Sequence, residues 1–191
     1  MKYPFIHLRT HSSYSLAEST LKIHQLVELA KINNMPSIAL TDNNNMFGVL
    51  EFSIECLKKG IQPIIGSSIN LLDFKLKDIP SRINFLVKNE VGYKNLLHLS
   101  SLSHTSDNYP VGIFLKDIEE HSKGLICYIG GEFNPILFLN LQNKVSILEE
   151  TIKYFKKLFD DDFLFEIQRI NNSKIEQFEN DFIKYANNYK I

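Results

Sequence analysis

The segment His7-Leu8-Arg9-Thr10-His11-Ser12-Ser13-Tyr14-Ser15 and the later Leu40-Thr41-Asp42-Asn43 hold the residue types that could do chemistry. Imidazoles and a carboxylate grouped in this way suit a divalent metal that activates water against a phosphoester. A strand turns alternate side chains to one side, so two histidines separated by one residue would both face such an ion. Here the residue two before His11 is Arg9, a permanent cation that cannot ligate a metal. His7 lies four residues before His11 and cannot take that place without a change of backbone path. The layout is that of a metal-phosphoesterase entrance with key letters missing.

Strands and helices must carry these residues to one place. Phe5-Ile6-His7-Leu8 reads as a first strand. Ile23, Leu26, Val27 and Ala30 recur at helical spacing, and that helix fades at Asn33-Asn34 before Pro36. Ser37 to Thr41 reads as a second strand and Phe47 to Lys59 as a helix capped by Gly60. Further strands are expected over Gln62–Ile69, Ile83–Val87, Leu125–Ile129 and Phe163–Ile167, with a helix from about Tyr93 to Leu102. Val145, Leu148, Ile152, Phe155 and Phe159 form the inward stripe of a long helix. Ser173-Lys174-Ile175-Glu176 has the form of a capping box opening a last one. This alternation predicts a parallel α/β sheet or barrel. Ser101 to Val111 is the loosest stretch.

The 191 residues make one domain, 1–191, or most of one, with 44% hydrophobic and 23% charged residues, ordinary for a globular protein. A formal charge of −1 advertises no nucleic-acid surface, and no basic stripe with interleaved aromatics predicts direct nucleic-acid contact. Two cysteines imply no disulfide scaffold and fit a reducing cytoplasm. No segment reaches the roughly 18–20 apolar residues of a membrane span, and no signal-peptide run opens the chain.

The chain resembles the PHP domain family, and within it the N-terminal PHP domains of bacterial DNA polymerase III α subunits. The family opens on His-Leu-His-x-His, then Thr-Asp-His and Asn-Leu-Phe-Gly. The counterparts here are the Arg9–His11 segment, Thr41-Asp42-Asn43 and Asn45-Met46-Phe47-Gly48. Gly60 to Gly66, Gly92-Tyr93-Lys94-Asn95-Leu96, Gly124 through Gly130 and Phe163 to Ile167 follow in family order. The resemblance implies a distorted (β/α)7 barrel with its site at the C-terminal ends of the strands. It also implies a further strand after the last helix, bearing a final Asp and His, so the chain reads as about three-quarters of the domain.

Carried over residue by residue, the family's metal ligands survive only as His11 and Asp42. Its other ligand positions fall on Arg9, Asn43, Ser68, Arg82, Gly131 and Ile170. No bound metal, no cofactor and no catalytic residue is therefore expected. Arg9, with Arg82, is expected to replace the metal as counter-charge to Asp42, since a buried carboxylate needs a partner. The resemblance further implies a DNA-replication role. This domain would support a polymerase α chain whose remaining domains carry nucleotidyl transfer, and would offer a docking surface to a proofreading exonuclease subunit. The alternative is a phosphoesterase or 3′–5′ exonuclease working with altered ligands on Zn, Mn or Mg.

The remaining candidates have simpler readings. His24, His98, His104 and His121 are scattered and read as surface or capping residues. Cys56 and Cys127 read as small core residues. Asp160-Asp161-Asp162 could be a magnesium string, but more often such a run ends a helix. Gly130-Gly131 suits a phosphate cradle or a tight turn equally well.

Overall fold

The computed structural model describes residues 5–72, 81–105, 111–170 and 172–191. Five strands lie in the order β1 (Ser37–Leu40), β2 (Gln62–Leu71), β3 (Ser81–Val87), β4 (Leu125–Gly130) and β5 (Phe163–Glu166). Helices α1 (Ile23–Ile32) and α2 (Val49–Lys59) flank β1. Helices α3 (Glu90–Thr105) and α4 (Leu115–His121) join β3 to β4. Helices α5 (Pro135–Leu141) and α6 (Val145–Phe159) precede β5, and α7 (Ser173–Tyr189) follows it.

Local signals explain most of these elements. α1 starts where the Gln25 side chain accepts the Lys22 amide at 3.1 Å. It ends where Asn34 takes a left-handed φ of 54° ahead of Pro36. α2 stops at Gly60, whose φ of +69° is open to glycine at no steric cost. The next amide, Ile61, donates back to the Cys56 carbonyl at 2.9 Å, closing the turn as a Schellman-type cap. α7 opens one residue earlier than the capping-box reading placed it: the Asn172 carbonyl takes the Ile175 and Glu176 amides.

The sheet is mixed, which corrects the parallel expectation. β1–β2 and β4–β5 pair parallel, whereas β3 runs antiparallel to both β2 and β4. Only nine residues separate the end of β2 from the start of β3, and a parallel neighbour needs a crossover of a dozen or more residues. Phe5–Leu8 is not a ladder strand either. That segment runs beside β1, with Ala39 N donating to His7 O and Thr41 N to Thr10 O. α4 and α5 were not anticipated, and α3 runs on through Ser101–Thr105. The rest of the expected loop, residues 106–110, lies outside the described residues.

Side-chain alternation divides the sheet into two faces. Ile69, Ile83, Phe85, Cys127, Ile129 and Phe163 pack against α3, α6 and α7 through Leu96, Leu99, Ile152, Phe155 and Phe182. Ile38 and Leu40 of β1 pack on α1 and α2 through Leu26, Val27, Phe52 and Cys56. The alternate residues, among them Ser68, Asn70, Arg82, Asn84, Tyr128 and Glu166, fall on the opposite face.

That face is concave. The segment bearing Arg9 lies beside β1 at one edge, yet Arg9 reaches Glu166 on β5 at the other, with N···O 2.8 Å. Four inter-strand steps of about 4.8 Å in a flat sheet would put these edges beyond the reach of one side chain. Curling brings them together. The fold is thus α/β, a curled five-stranded sheet with helices on its outer face.

Candidate functional site

Asp42 organises the site from just past the end of β1. It is 1% exposed. One carboxylate oxygen accepts the Ser12 amide at 2.6 Å and the Ser15 hydroxyl at 2.6 Å. The other accepts the Ser12 hydroxyl at 2.7 Å. The polar run after His11 is therefore wrapped around this carboxylate. Ser15 Oγ also accepts the Asn43 amide at 3.1 Å. From β2, Ser68 N and Ser67 Oγ donate to the Asp42 carbonyl.

The arginines have other partners than the one expected. Arg9 Nη1 donates to Glu166 Oε2 at 2.8 Å and lies 3.4 Å from Gly130 O. The two side chains are only 12% and 19% exposed. Arg82 makes a two-pronged pair with Glu18, at 3.1 and 3.0 Å. Its Nε donates to Asn70 Oδ1 at 3.3 Å, and its guanidinium lies 4.5 Å from the centre of the Phe133 ring. Neither arginine pairs with Asp42, whose negative charge is met by neutral donors. Serine hydroxyls and an amide suffice because a carboxylate holding several N–H and O–H donors is well solvated by them.

Arg9 also explains Gly131. At φ +72° this residue sits directly under the guanidinium. A Cβ there would come within 2.8 Å of Arg9 Nη1 and 2.6 Å of Gln168 Oε1. A large cation from one edge and an absent side chain at the end of β4 thus fill one volume between them. Gly130 has a separate reason, since a Cβ there would run into the backbone of Glu166 on β5.

His11 lies among these groups with its Nδ1 buried and without a hydrogen-bond partner. Burial first, then the charge of Arg9, lowers its pKa, and Arg82 adds to this; Glu18 and Asp42 pull the other way. The balance favours the neutral imidazole. Burial works to raise the Glu18 carboxyl, but the hydrogen bonds and charge of Arg82 overcome it and hold the group below its ordinary value. The Asn43 side chain lies close enough to Glu18 to help lower its carboxyl, although no partner meets its amide in regular hydrogen-bond geometry. Ser68 belongs to an inner chain: its hydroxyl donates to Asn84 Oδ1 at 2.6 Å, and Asn84 Nδ2 donates to Tyr128 O at 3.2 Å. The Tyr128 hydroxyl reaches Leu8 O at 3.0 Å.

Arg9, His11, Asp42, Asn43, Ser68, Arg82 and Gly131 are thus gathered at one end of the sheet. That end holds the C-terminal ends of β1, β2, β4 and β5 and the start of the antiparallel β3. Ile170 is not one of this group as a side chain: it is 44% exposed on the loop before α7, and Gln168, two residues earlier, reaches Gly131 instead. Sequence reading missed Glu18 and Glu166, the partners of both arginines. An arginine at a position expected to face inward was itself the signal that a carboxylate had to be found.

The other candidates, His104 excepted, fall away from this end. Asp160–Asp162 form a 3₁₀ turn, with Asp162 paired to Lys88 and Asp160 and Asp161 to Lys156. Cys56 and Cys127 are buried, and burial raises both thiols, Cys56 to about 11. His98 and His121 stack at 5.1 Å. His104 meets the Asn44 carbonyl at 2.6 Å. Among the described residues no three His, Cys, Asp or Glu side chains converge as a metal cluster. Nor is any helix there long and apolar enough to cross a membrane.

Residues 7–170 match the PHP domain. The chain belongs to the PHP domain family. The PHP domain here is 37% identical over 196 residues to the DNA polymerase III subunit alpha of Rickettsia bellii, covering all of this chain and 16% of that one. The corresponding subunit of Rickettsia felis is 40% identical over 97% of the chain, and that of Borreliella burgdorferi 40% identical over 86%. The PHP domain thus spans about a sixth of the length of these relatives. A solved amidohydrolase from Chromobacterium violaceum is 19% identical, with a TM-score of 0.43 over 51% of this chain and 32% of its own.

Proposed function

We propose that this chain is the PHP domain of a replicative DNA polymerase α subunit, acting as structural support and docking surface within a DNA-replication complex and holding no catalytic metal. On this reading the five-stranded sheet is the greater part of a distorted (β/α)7 barrel. The partners are the rest of the polymerase chain, which carries nucleotide transfer, and a proofreading exonuclease subunit. Identities of 37–40% to polymerase α subunits across nearly the whole chain support the assignment.

The observation that carries the metal-free part is the Arg9–Glu166 pair over Gly131. A metal-binding histidine at position 9 would need the space and the partner that the guanidinium takes. Asp42 spends both oxygens on Ser12 and Ser15, so ligating a metal would cost it those bonds. The donors present fit a family metal centre poorly, and the fixed positive charges of Arg9 and Arg82 oppose divalent-ion entry. A phosphoesterase or exonuclease with altered ligands keeps one point in its favour: the partnerless His11 Nδ1.

Metal content and hydrolysis decide between the two. Protein dialysed against zinc or manganese is expected to retain far less than one ion per chain and to leave a chromogenic phosphodiester intact. Stoichiometric metal, lost on His11→Ala together with hydrolysis, would establish the enzyme instead.

A further inference from the structure

Helix α2 buries one face and leaves the other bare. Val49, Phe52 and Cys56 point into the core. Leu50, Ile54 and Leu57 are 72%, 45% and 71% exposed, at the i, i+4, i+7 spacing of a single helical face. Phe47, two residues before the helix, is 68% exposed, with its ring stacked on His104. Scattered exposed leucines are ordinary on a protein surface, but large apolar side chains aligned on one face mark a contact. The rim is polar and already engaged with itself: Lys58 pairs with Glu55 and Lys59 with Glu28, each at 2.6 Å. The free valence of this face is therefore apolar.

Size decides the kind of partner. At roughly 150–250 Å² for a large side chain, the exposed fractions amount to on the order of 500 Å². A stable interface between separate proteins buries about 800 Å² on each. The stripe is too small to hold a second copy or an independent subunit by itself. It is large enough for an element on the same polypeptide, where tethering supplies an effective concentration in the millimolar range. Polymerase relatives provide such a polypeptide, since this domain spans only 16% of the Rickettsia bellii chain. Steps of four and of three along a helix face are also the spacings whose ridges interlock with the grooves of another helix.

We infer that the Leu50–Ile54–Leu57 face of α2 seats an apolar helix from the part of the polymerase chain outside this domain. The inference rests on the polymerase reading above and adds the surface and the kind of element that covers it.

The test uses the natural polypeptide that contains this domain. Its mass comes first: a polypeptide no longer than 191 residues overturns the polymerase reading and the tethered helix with it. In a longer chain, Leu57→Cys and Leu50→Cys are labelled with a maleimide, the native Cys56 and Cys127 being buried. Both are expected to react at least tenfold more slowly than Lys153→Cys, a position on α6 that is 62% exposed. Adding Leu50→Glu to the Leu57→Cys chain is expected to restore fast labelling. Equal rates at positions 57 and 153 in a long chain overturn the docking while leaving the polymerase reading intact. Protection that fades on hundredfold dilution overturns the tether and assigns the face to a second copy or a separate subunit.

Discussion

At the scale of the residue, the site turns on where positive charge is held. Arg9 crosses from one edge of the sheet to Glu166 at the other in a setting largely closed to water. Removing one member of such a pair strands the other, at a cost of 3–5 kcal/mol when fully buried. With each side chain partly exposed, about 1–3 kcal/mol is the appropriate range for Arg9→Ala. A thermal melt is then expected to shift down by about 2–12 °C; an unchanged midpoint would show that the pair holds nothing together. Gly131→Ala is expected to cost about 1–2 kcal/mol through its left-handed backbone and through contact with the guanidinium. In a double-mutant cycle the Arg9→Ala background is expected to relieve the contact part of that cost, so the two losses add to less than their sum. Strict additivity would separate Gly131 from Arg9.

His11 sets a pH dependence whose sign is definite. Its folded pKa is lowered by burial and by Arg9, so the unfolded chain takes up its proton first. Stability from this source is intact above the ordinary histidine value of about 6.5 and declines as the pH falls below it. Melting curves between pH 7.5 and 5 are expected to show this decline, and His11→Gln is expected to flatten it. A slope unaltered by that substitution assigns the effect to other groups.

At the scale of the element, short-range punctuation did most of the work. Gly60 after α2 and Asn33-Asn34 before Pro36 mark real helix ends because a left-handed residue or a proline stops a helix whatever surrounds it. α5 was missed because Pro135-Ile136-Leu137-Phe138-Leu139 is apolar on nearly every side and shows no helical period. Its signal was Asn134-Pro135, a cap followed by the residue favoured in the first turn. The Asn134 side chain accepts the Ile136 amide at 2.9 Å, and Asn134→Ala is expected to cost about 1 kcal/mol in denaturant unfolding. α4 is only seven residues long with Ile118 alone buried, too little for a period to appear. The direction of β3 was also within reach, since so short a connection leaves no room for the crossover that parallel neighbours need.

At the scale of the whole molecule, curvature makes the site. Residues from both edges of the sheet meet only because the strands curl, so a metal-binding histidine at position 9 or a side chain at 131 would disturb contacts between distant parts of the chain. The metal assay and the labelling of α2 probe the molecule at this level: one asks what the concave face holds, the other what covers the outer helices.

The amino-acid order alone determined the family and the outward and inward faces of most elements. Those are properties of local spacing and residue type, which act over a few bonds. Only the tertiary structure decided that Glu166 and Glu18, rather than Asp42, receive the arginines, and that Ser12 and Ser15 satisfy Asp42. These partners lie up to 157 residues apart. Which carboxylate a cation meets depends on the path of the backbone between them, and no spacing rule reaches that far.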